Sequence, residues 1–369
     1  MASGFERLSL RHSEGSTTIL VGRDLLGQAR VPLTPWLEGR TVFAVTSPSV
    51  RRLHGGALEP LTAAAARLEV LEVPDGEAAK HLDFAGQLWA SMIGAGGKRD
   101  SRLIAFGGGT VGDLGGFVAG CFLRGIEYAQ IPTTLLAQVD AAIGGKTAID
   151  WGGTKNSVGL FHHPAMVISD VSFLETLPRE ELRSALAEVV KTAVLLDPLL
   201  LETVEGRLEE LLDGDAKALE PVVVATARAK ARVVERDPQE AGDRKLLNFG
   251  HTLGHALEAA LDYRGLRHGD AVSYGMLFAL RLALIRGLEP AVARRCRRLL
   301  RRFQVPPLPA VDQDSILAAM TRDKKNLEGG LTWVLPAALG EGALVDDLKP
   351  ELVTSELASF LEDPWAGDE

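Results

Sequence analysis

The segment Leu246 to Glu258, LLNFGHTLGHALE, places an asparagine and two histidines within a few residues of one another. From Thr252 onward it reads as a helix, with Leu253, Ala256, Leu257 and Ala260 as the apolar stripe. His251 and His255 are four residues apart, so on a helix they point the same way. Gly250 and Gly254 leave room for a close neighbour or a ligand. Two imidazoles on one face suit a metal, or one metal ligand beside one acid–base group; they also suit two ordinary packed or exposed helical histidines. Two other segments bear on the choice. Glu188 and Lys191, three apart in LAEVVK, lie on an otherwise apolar helix, where the carboxylate is either a metal ligand or half of a surface ion pair. His268 begins His268-Gly269-Asp270 in a loop at a helix start. Glu188, His251 and His268 would form a Glu/His₂ set with an open position, the pattern of a catalytic rather than a structural zinc. Spacing alone does not establish that set.

A second group of segments suits anions. Gly107, Gly109 and Gly112 follow a strand and open a helix, so backbone N–H groups there can approach a pyrophosphate. The acidic residue usual at the end of the next strand is missing, because that strand runs into Ile131-Pro132-Thr133-Thr134, so the arrangement is not the standard dinucleotide one; a packing turn is the other reading. Gly144-Gly145-Lys146 and then Lys155-Asn156 read as two glycine-and-lysine loops offering cations beside an anion pocket. Lys230, Arg244 and the loop Asp323 to Asn326 (DKKN) add further positive charge.

Other features read as ordinary structure. The arginine-rich helix Arg294 to Arg302 is a solvated face. His162-His163-Pro164 falls in a turn. His12, His54 and His81 have no partner nearby in sequence, and Cys121 reads as buried in an apolar helix.

The elements that must position these groups change character along the chain. Residues 5–23 form an antiparallel hairpin. Thr41 to Thr46 is a buried strand, Leu58 to Leu68 an Ala-rich helix, Glu69 to Val73 a strand and Ala79 to Gly94 a helix. Arg102 to Phe106, Tyr128 to Ile131 and Met166 to Ile168 are further strands. This alternation predicts an α/β fold with a mostly parallel sheet. After Pro178 the periodicity is helical, over Arg179 to Leu195, Leu199 to Leu212, Pro221 to Glu235, Thr252 to Leu261, Asp270 to Arg286 and Glu289 to Phe303, with one strand at Leu331 to Leu335. The expected division is therefore residues 1–178 as an α/β domain and 179–369 as an all-α domain, with a crevice between the halves as the expected ligand site and a frayed acidic tail after Asp363.

Composition bounds the function. The chain has 369 residues, a net charge of −9 and two cysteines. The charge disfavours non-specific nucleic-acid binding, and the cysteines make neither a disulfide framework nor a zinc pattern. No run approaches the roughly 20 apolar residues of a membrane span, and residues 1–10 lack an apolar signal-peptide core. These features predict a cytoplasmic protein with no nucleic-acid or membrane partner.

Taken in order, GGGTVGD, FLRG, IPTTLLAQVDAAIGGKTAID, GGTKNSVGLFH, FLETLP, LAEVVKT, LLNFGHTLGH, HGDAVSYGM and DKK resemble the 3-dehydroquinate synthases of the sugar-phosphate cyclase group, from about Pro74 to about Leu335. The resemblance implies an N-terminal NAD-binding α/β domain and a C-terminal helical domain that binds metal and substrate. It implies NAD and a divalent cation, usually Zn²⁺ with Co²⁺ as the alternative, held by Glu188, His251 and His268. It implies NAD contacts at Asp75, Glu77 and Lys80, at Gly109, Thr110, Val111, Gly112 and Asp113, at Thr133 and Thr134, at Lys146 and Lys155, and at Phe173, Leu174, Glu175 and Thr176. Substrate contacts would fall on Asp140, Lys146, Asn156, Lys191, Lys230, Arg244, Asn248, His255 and Lys324, the last preferred to Lys325. Arg124 of FLRG would reach a partner subunit's site, implying a homodimer. The implied reaction converts 3-deoxy-D-arabino-heptulosonate 7-phosphate to 3-dehydroquinate and phosphate, by transient oxidation, phosphate elimination, reduction, ring opening and aldol closure. Two departures stand out. Thr46-Ser47-Pro48 replaces a segment in which relatives often carry Asp or Asn, which touches the adenosine end of NAD, and Asp270 replaces a common Glu.

Three other readings compete. A sister cyclase, such as a 2-deoxy-scyllo-inosose synthase, would act on a substrate without a carboxylate and would alter the cationic positions. A metal-dependent alcohol dehydrogenase would release NADH. A non-catalytic NAD- or metal-binding protein would not need Glu188, Lys191, His251 and His268 together.

Overall fold

The computed structural model describes residues 4–28, 31–240, 242–325 and 331–366, without the side chains of 322–325. The chain forms two compact units, residues 1–179 with 209–238, and residues 180–208 with 239–369. The division read from the sequence at residue 178 thus differs in one respect: the segment Glu209–Pro238 returns to the first unit.

In chain order the first unit contains β1 (Phe5–His12), β2 (Gly15–Gly22), α1 (Leu33–Leu37), β3 (Thr41–Thr46), α2 (Pro48–His54), α3 (Glu59–Ala64), β4 (Arg67–Glu72), α4 (Leu82–Gly94), β5 (Arg102–Gly107), α5 (Gly109–Cys121), β6 (Tyr128–Pro132), β7 (Lys146–Trp151), β8 (Thr154–Phe161) and β9 (Met166–Asp170). Seven strands make one sheet in the order β1-β2-β9-β6-β5-β3-β4; β1 and β2 pair antiparallel and every other pairing is parallel. Both faces are covered, so the central strands are apolar at successive positions. Phe43, Val45, Leu103 and Ala105 face one core with α4 and α5, while Val42, Ala44, Ile104 and Phe106 face the other with Leu33, Leu37 and Leu61. The strand order reverses direction between β3 and β5, and in such sheets ligands bind beyond the carboxyl ends of the strands at that switch point. The Gly107–Gly109 turn lies there.

Two local expectations are corrected. The Ala-rich helix stops at Ala64, because Arg67–Glu72 pairs in parallel register with β3 and sheet pairing overrides helix propensity. The two glycine-and-lysine loops are instead largely a hairpin, β7 and β8, closed by Gly152 and Gly153 at φ +60° and +78°.

The remaining helices are α6 (Arg179–Leu196), α7 (Pro198–Leu212), α8 (Ala216–Arg236), α9 (His251–Ala260), α10 (His268–Ile285), α11 (Pro290–Arg302), α12 (Gln313–Lys325) and α13 (Pro350–Glu362), with the hairpin β10 (Trp333–Ala338) and β11 (Glu341–Val345). Helix α8 starts earlier than its periodicity indicates, because the Asp215 carboxylate caps it by accepting from the N–H groups of Lys217 and Ala218. It packs on β1 and β2, which is why this segment belongs to the first unit. In the second unit α10 is the central helix, buried at nearly every position from Gly269 to Ala283. It crosses α9 so closely that a Cβ on Gly275 would overlap the Gly250 carbonyl.

Three more readings change. Asp323 to Lys325 lie on the last turn of α12 rather than in a loop, and Asn326 is outside the described residues. The tail is held rather than frayed as far as Ala366, since Arg281 donates to the Asp363 carbonyl, Arg297 to that of Ala366, and Trp365 lies against Arg301 and Tyr274. The arginine helix is accordingly not a uniformly solvated face: Arg297 is buried and Arg295 pairs with Glu205.

Two glycine substitutions should have opposite effects in chemical denaturation. Gly275→Ala should destabilise by about 3 kcal/mol, as overpacking of a rigid crossing does. Gly86→Ala, inside α4 with open space around it, should stabilise by roughly 0.5–1 kcal/mol through helix propensity.

Candidate metal centre and cofactor site

In the second unit three helices bring one carboxylate and two imidazoles together. Helix α6 carries Glu188 and Lys191, both buried. Gly250, at φ +81°, turns the chain into α9, whose first residue is His251; His268 is the first residue of α10. The starts of α6 and α10 are clamped: Arg183 makes a two-pronged pair with Asp270 at 3.0 Å for each bond, and the Gly269 N–H donates to Ser184 Oγ at 2.9 Å. A Cβ on Gly269 would overlap the Ser184 backbone, so only glycine lets the two helices meet one turn before Glu188. Asp270, the departure noted in the sequence, therefore serves this clamp.

Glu188 Oε1 lies 3.6 Å from His251 Nε2 and 3.4 Å from His268 Nε2. A tetrahedral site with bonds of about 2.1 Å has edges of about 3.4 Å, so these separations fit three ligands of one cation. All three donor atoms lie within 4.8 Å of one another. The opposite ring nitrogens are engaged: His251 Nδ1 is 3.2 Å from the Phe249 carbonyl, and His268 Nδ1 is 3.2 Å from Glu258 Oε2. With the proton on Nδ1 in each ring, Nε2 is the atom that each ring would offer a cation beside Glu188. Glu188 is 1% exposed, and neither of its oxygens accepts a hydrogen bond of sound geometry, although Lys191, His251 and His268 all lie at ion-pair range. A buried carboxylate with charge nearby but no hydrogen bonds is what a cation site requires, and the residues fit one. His255 is exposed beside this cluster, its ring centroid 5.1 Å from that of His251. Arg244, buried, and Asn248 lie in the 3₁₀ turn before α9, where the Asn248 amide donates to Glu240 Oε1 at 2.9 Å. Lys324 falls on α12, with its side chain outside the described residues.

The charges shape one another. Burial opposes ionisation of Glu188, but Lys191, His251 and His268 outweigh it and hold the carboxyl well below its ordinary range. Burial holds His251 well below the usual imidazole value. Burial works the same way on His268, yet the Glu188 and Glu258 carboxylates beside it prevail and raise it to about 10.

In the first unit part of the set expected to meet NAD, together with Asn156 from the set expected to meet substrate, converges on a single buried ammonium. Lys80 Nζ donates to Asp113 Oδ2 at 2.9 Å and to the Asn156 amide oxygen, with Glu77 at 3.7 Å. Burial disfavours the charged form of Lys80, but Asp113 and Glu77 raise its pKa. Thr110 Oγ1 donates to Glu77, and Lys155 lies 4.0 Å from Glu77. Gly109 to Asp113 form the first turn and a half of α5. Thr133 and Thr134 follow β6 beside the glycine turn, the Thr133 N–H donating to the Gly107 carbonyl. Asp75 accepts from Ser49, next to the Thr46-Ser47-Pro48 departure. Phe173, Leu174, Glu175 and Thr176 form a 3₁₀ turn, and His54, 122 residues earlier, bonds Thr176 Oγ1 at 2.9 Å and packs against Phe173 with the two rings tilted by 55°. His54 was invisible in the sequence because its partners are so distant. Asp140 lies on a π-helical turn, Ala137–Ala141, and Lys230 of α8 donates to both its carbonyl and its carboxylate. Lys146 is exposed at the start of β7. Arg124 is exposed in the turn after α5 at φ +69°, and Cys121 just before it is exposed rather than buried, because it ends the helix on its outer side.

Sequence reasoning missed Glu258 as well. Its position seven residues after His251, two turns along the same helix face, is the signal that could have found it.

Comparison with known proteins points to one family. Two family models match consecutive stretches, 3-dehydroquinate synthase N-terminal over residues 70–184 and 3-dehydroquinate synthase C-terminal over residues 185–326. A 3-dehydroquinate synthase of Symbiobacterium thermophilum is 44% identical over 344 residues, covering 91% of this chain and 95% of its own. Among solved structures, a 2-epi-5-epi-valiolone synthase from Streptomyces hygroscopicus with NAD⁺ and Zn²⁺ bound superposes with a TM-score of 0.85 at 27% identity, over 98% of this chain and 99% of its own. A 2-deoxy-scyllo-inosose synthase complexed with carbaglucose-6-phosphate, NAD⁺ and Co²⁺ gives 0.86 at 26%, over 95% and 98%.

The His268 shift predicts a proton count. In the metal-free protein His268 keeps its proton up to about pH 10, so it contributes stability that is full below its unfolded value of 6.5 and is lost as the pH rises through about 10. A cation at Nε2 must displace that proton. Zinc titrated calorimetrically into metal-free protein at pH 7.5, in buffers of different ionisation enthalpy, should release about one proton per ion. Release should fall away as the pH nears 10.

Proposed function

The chain belongs to the 3-dehydroquinate synthase family, and from that premise we propose that it converts 3-deoxy-D-arabino-heptulosonate 7-phosphate to 3-dehydroquinate and inorganic phosphate, a step of the shikimate pathway to aromatic amino acids. The observation that carries the reading is the Glu188–His251–His268 cluster, built to cation-binding geometry inside a sequence that both family models match. The protein uses NAD, assigned to the first unit, and a divalent cation, assigned to the second and taken as Zn²⁺ with Co²⁺ an alternative. When bound, NAD takes up and returns a hydride while the cation draws electron density from a substrate oxygen.

The chain's own residues do the binding and move the protons. Lys191, buried and paired with Glu188, is assigned to a substrate oxygen that becomes negative during reaction. His255, exposed beside the two ligand imidazoles, is assigned to proton transfer or to the phosphate. Lys230 is held by Asp140, so its ammonium is oriented before substrate arrives. Arg244 suits two-pronged recognition of a carboxylate, while Lys146 and Lys324 act as point charges on phosphate. Asn156 and Asn248 supply amides. In the first unit Lys80, Glu77, Asp113, Thr110 and Lys155 already form one hydrogen-bonded and ion-paired network at the end of the sheet, which supports their assignment to NAD.

The protein is proposed to act as a homodimer in which Arg124 reaches the partner's site; exposure of Arg124 on a left-handed turn supports this. A cytoplasmic location accords with two cysteines that form no disulfide. Among the described residues no helix is long and apolar enough to cross a membrane. A sister-cyclase activity is the second reading, favoured by the likeness to solved cyclases of that kind. The higher identity to a 3-dehydroquinate synthase and the complement of Lys230, Arg244 and Asn248 favour the substrate that carries a carboxylate.

Purified protein given the heptulosonate phosphate, catalytic NAD⁺ and Zn²⁺ should form phosphate and dehydroquinate in equal amounts with no net NADH. Turnover only of a sugar phosphate without a carboxylate would reassign it as a sister cyclase, and NADH accumulation from a simple alcohol would make it a dehydrogenase. Lys191→Met should lower kcat on the order of a hundredfold or more while the metal is retained. Mixing the separately inactive Arg124→Ala and Glu188→Ala proteins should restore roughly a quarter of native activity if dimers exchange subunits at random and Arg124 acts across the dimer. Restoration of none would place Arg124 in its own subunit's site.

A further inference from the structure

The two histidines that face Glu188 are aimed by different means. The His251 ring is held through Nδ1 by a main-chain carbonyl two residues away, that of Phe249, a bond that no side-chain substitution removes. The His268 ring is held through Nδ1 by a side chain, the Glu258 carboxylate, at 3.2 Å. His268 also sits at the first position of α10, with residues 261–267 between it and the end of α9, so its backbone fixes its Cα while its ring can still rotate about the side-chain torsions. Glu258 itself is placed well. It is two turns beyond His251 on α9, its side chain is only 11% exposed, and it reaches His268 from the side opposite Glu188.

We propose that Glu258 is the positioning residue of the cation site: by accepting the Nδ1–H of His268 it fixes the tautomer and rotation of that ring, so that Nε2 is presented toward Glu188 as a ligand. Helix α9 then supplies one ligand directly, His251, and aims the other, His268. The inference rests on the cation site proposed above. It is specific to one carboxylate that is not itself in the three-ligand set. A second grouping is also close enough to hold an ion, His255, Glu258 and His268. That arrangement would use His268 Nδ1, the atom already bonded to Glu258, and would turn Glu258 from an aiming group into a ligand. Burial favours the first set, since Glu188 is enclosed whereas His255 is exposed, and this leaves Glu258 the aiming role; stoichiometry separates the two.

The test compares native protein, Glu258→Ala and Glu258→Gln, first by Zn²⁺ affinity in chelator competition and then by the visible absorption of the Co²⁺-loaded proteins. Gln keeps an acceptor for Nδ1–H and guards against a simple failure of Ala to fold. The native chain should bind one ion. Glu258→Ala should bind it about 10- to 100-fold more weakly, the usual effect of losing an outer partner of a ligand histidine, and should show shifted or weakened Co²⁺ bands. Glu258→Gln should fall between. At saturating Zn²⁺ both variants should recover kcat to within a few-fold, because the ligands themselves remain. Native protein that binds no ion at all would sink the cation site and the function proposed with it. Native protein that binds one ion, with Glu258→Ala matching it in affinity and spectrum, would overturn this inference alone. Two ions in the native chain and one in Glu258→Ala would also overturn it, by making Glu258 a ligand.

Discussion

A carboxylate at 1% exposure, with no hydrogen bond of sound geometry to either oxygen, governs the second unit. Removing such a group from water costs several kcal/mol unless opposite charge is fixed around it. Here Lys191 on the same helix and His268 from α10 carry that charge, and His251 from α9 adds a neutral imidazole at close range. The packing serves this convergence. Helices α9 and α10 meet where Gly275 lies against the Gly250 carbonyl, and α10 meets α6 where Gly269 lies against Ser184. A side chain at either glycine would push a histidine away from the carboxylate. The Arg183–Asp270 pair then locks the second of these meetings from the flank.

The charge balance of this cluster bears on what it can bind. With His268 protonated, Glu188 and Glu258 are matched by Lys191 and His268, and the set is neutral. Exchanging one proton for one divalent cation leaves it with a net charge of +1. A cluster that becomes positive on loading favours an anionic substrate, and its low-dielectric surroundings strengthen the preference. The first unit handles charge differently. Lys80 is surrounded by Glu77, Asp113 and the amide of Asn156, so three separate stretches of chain are tied to one ammonium at the carboxyl end of the sheet. That network joins the glycine turn, the segment after β4 and the start of β8.

Much of this was legible in the chain. The alternation of strands and helices up to residue 178 and the helical periodicity beyond it follow from side-chain patterning, which repeats every two or 3.6 residues whatever the tertiary context. The ligand candidates were legible because Glu188, His251 and His268 belong to segments resembling a known family. What escaped was set by partners distant in sequence. The β7–β8 hairpin read as loops because its strands carry glycine and lysine, and only the left-handed pair Gly152 and Gly153 betrays the turn. The Ala-rich helix was cut short because β4 has to reach its register with β3. The return of α8 to the first unit is a matter of which surface buries its apolar stripe, and helical periodicity does not encode that. Arg297 looked solvated because the carbonyl it bonds, Ala366, lies 69 residues away. Glu258 was overlooked for another reason: a glutamate on a helix is ordinarily solvent-facing, and its role exists only once His268 is folded against it.

The solved cyclases that superpose so closely differ from this chain at nearly three residues in four, yet their described ligands include NAD⁺ and either Zn²⁺ or Co²⁺. A fold that keeps its cofactors across such divergence cannot tell its substrates apart by those cofactors. Discrimination has to reside in the groups that meet the part of the substrate that varies. For a substrate bearing a carboxylate that means a fork of donors, and guanidinium is the side chain whose planar geometry matches a carboxylate in two bonds at once. Arg244 is buried, in the short turn that also carries Asn248 and leads directly into the ligand His251. On the function proposed above, Arg244 is the group assigned to that discrimination: a sugar phosphate without the carboxylate would forgo the two-pronged bond a guanidinium offers, and selectivity would follow from that lost bond.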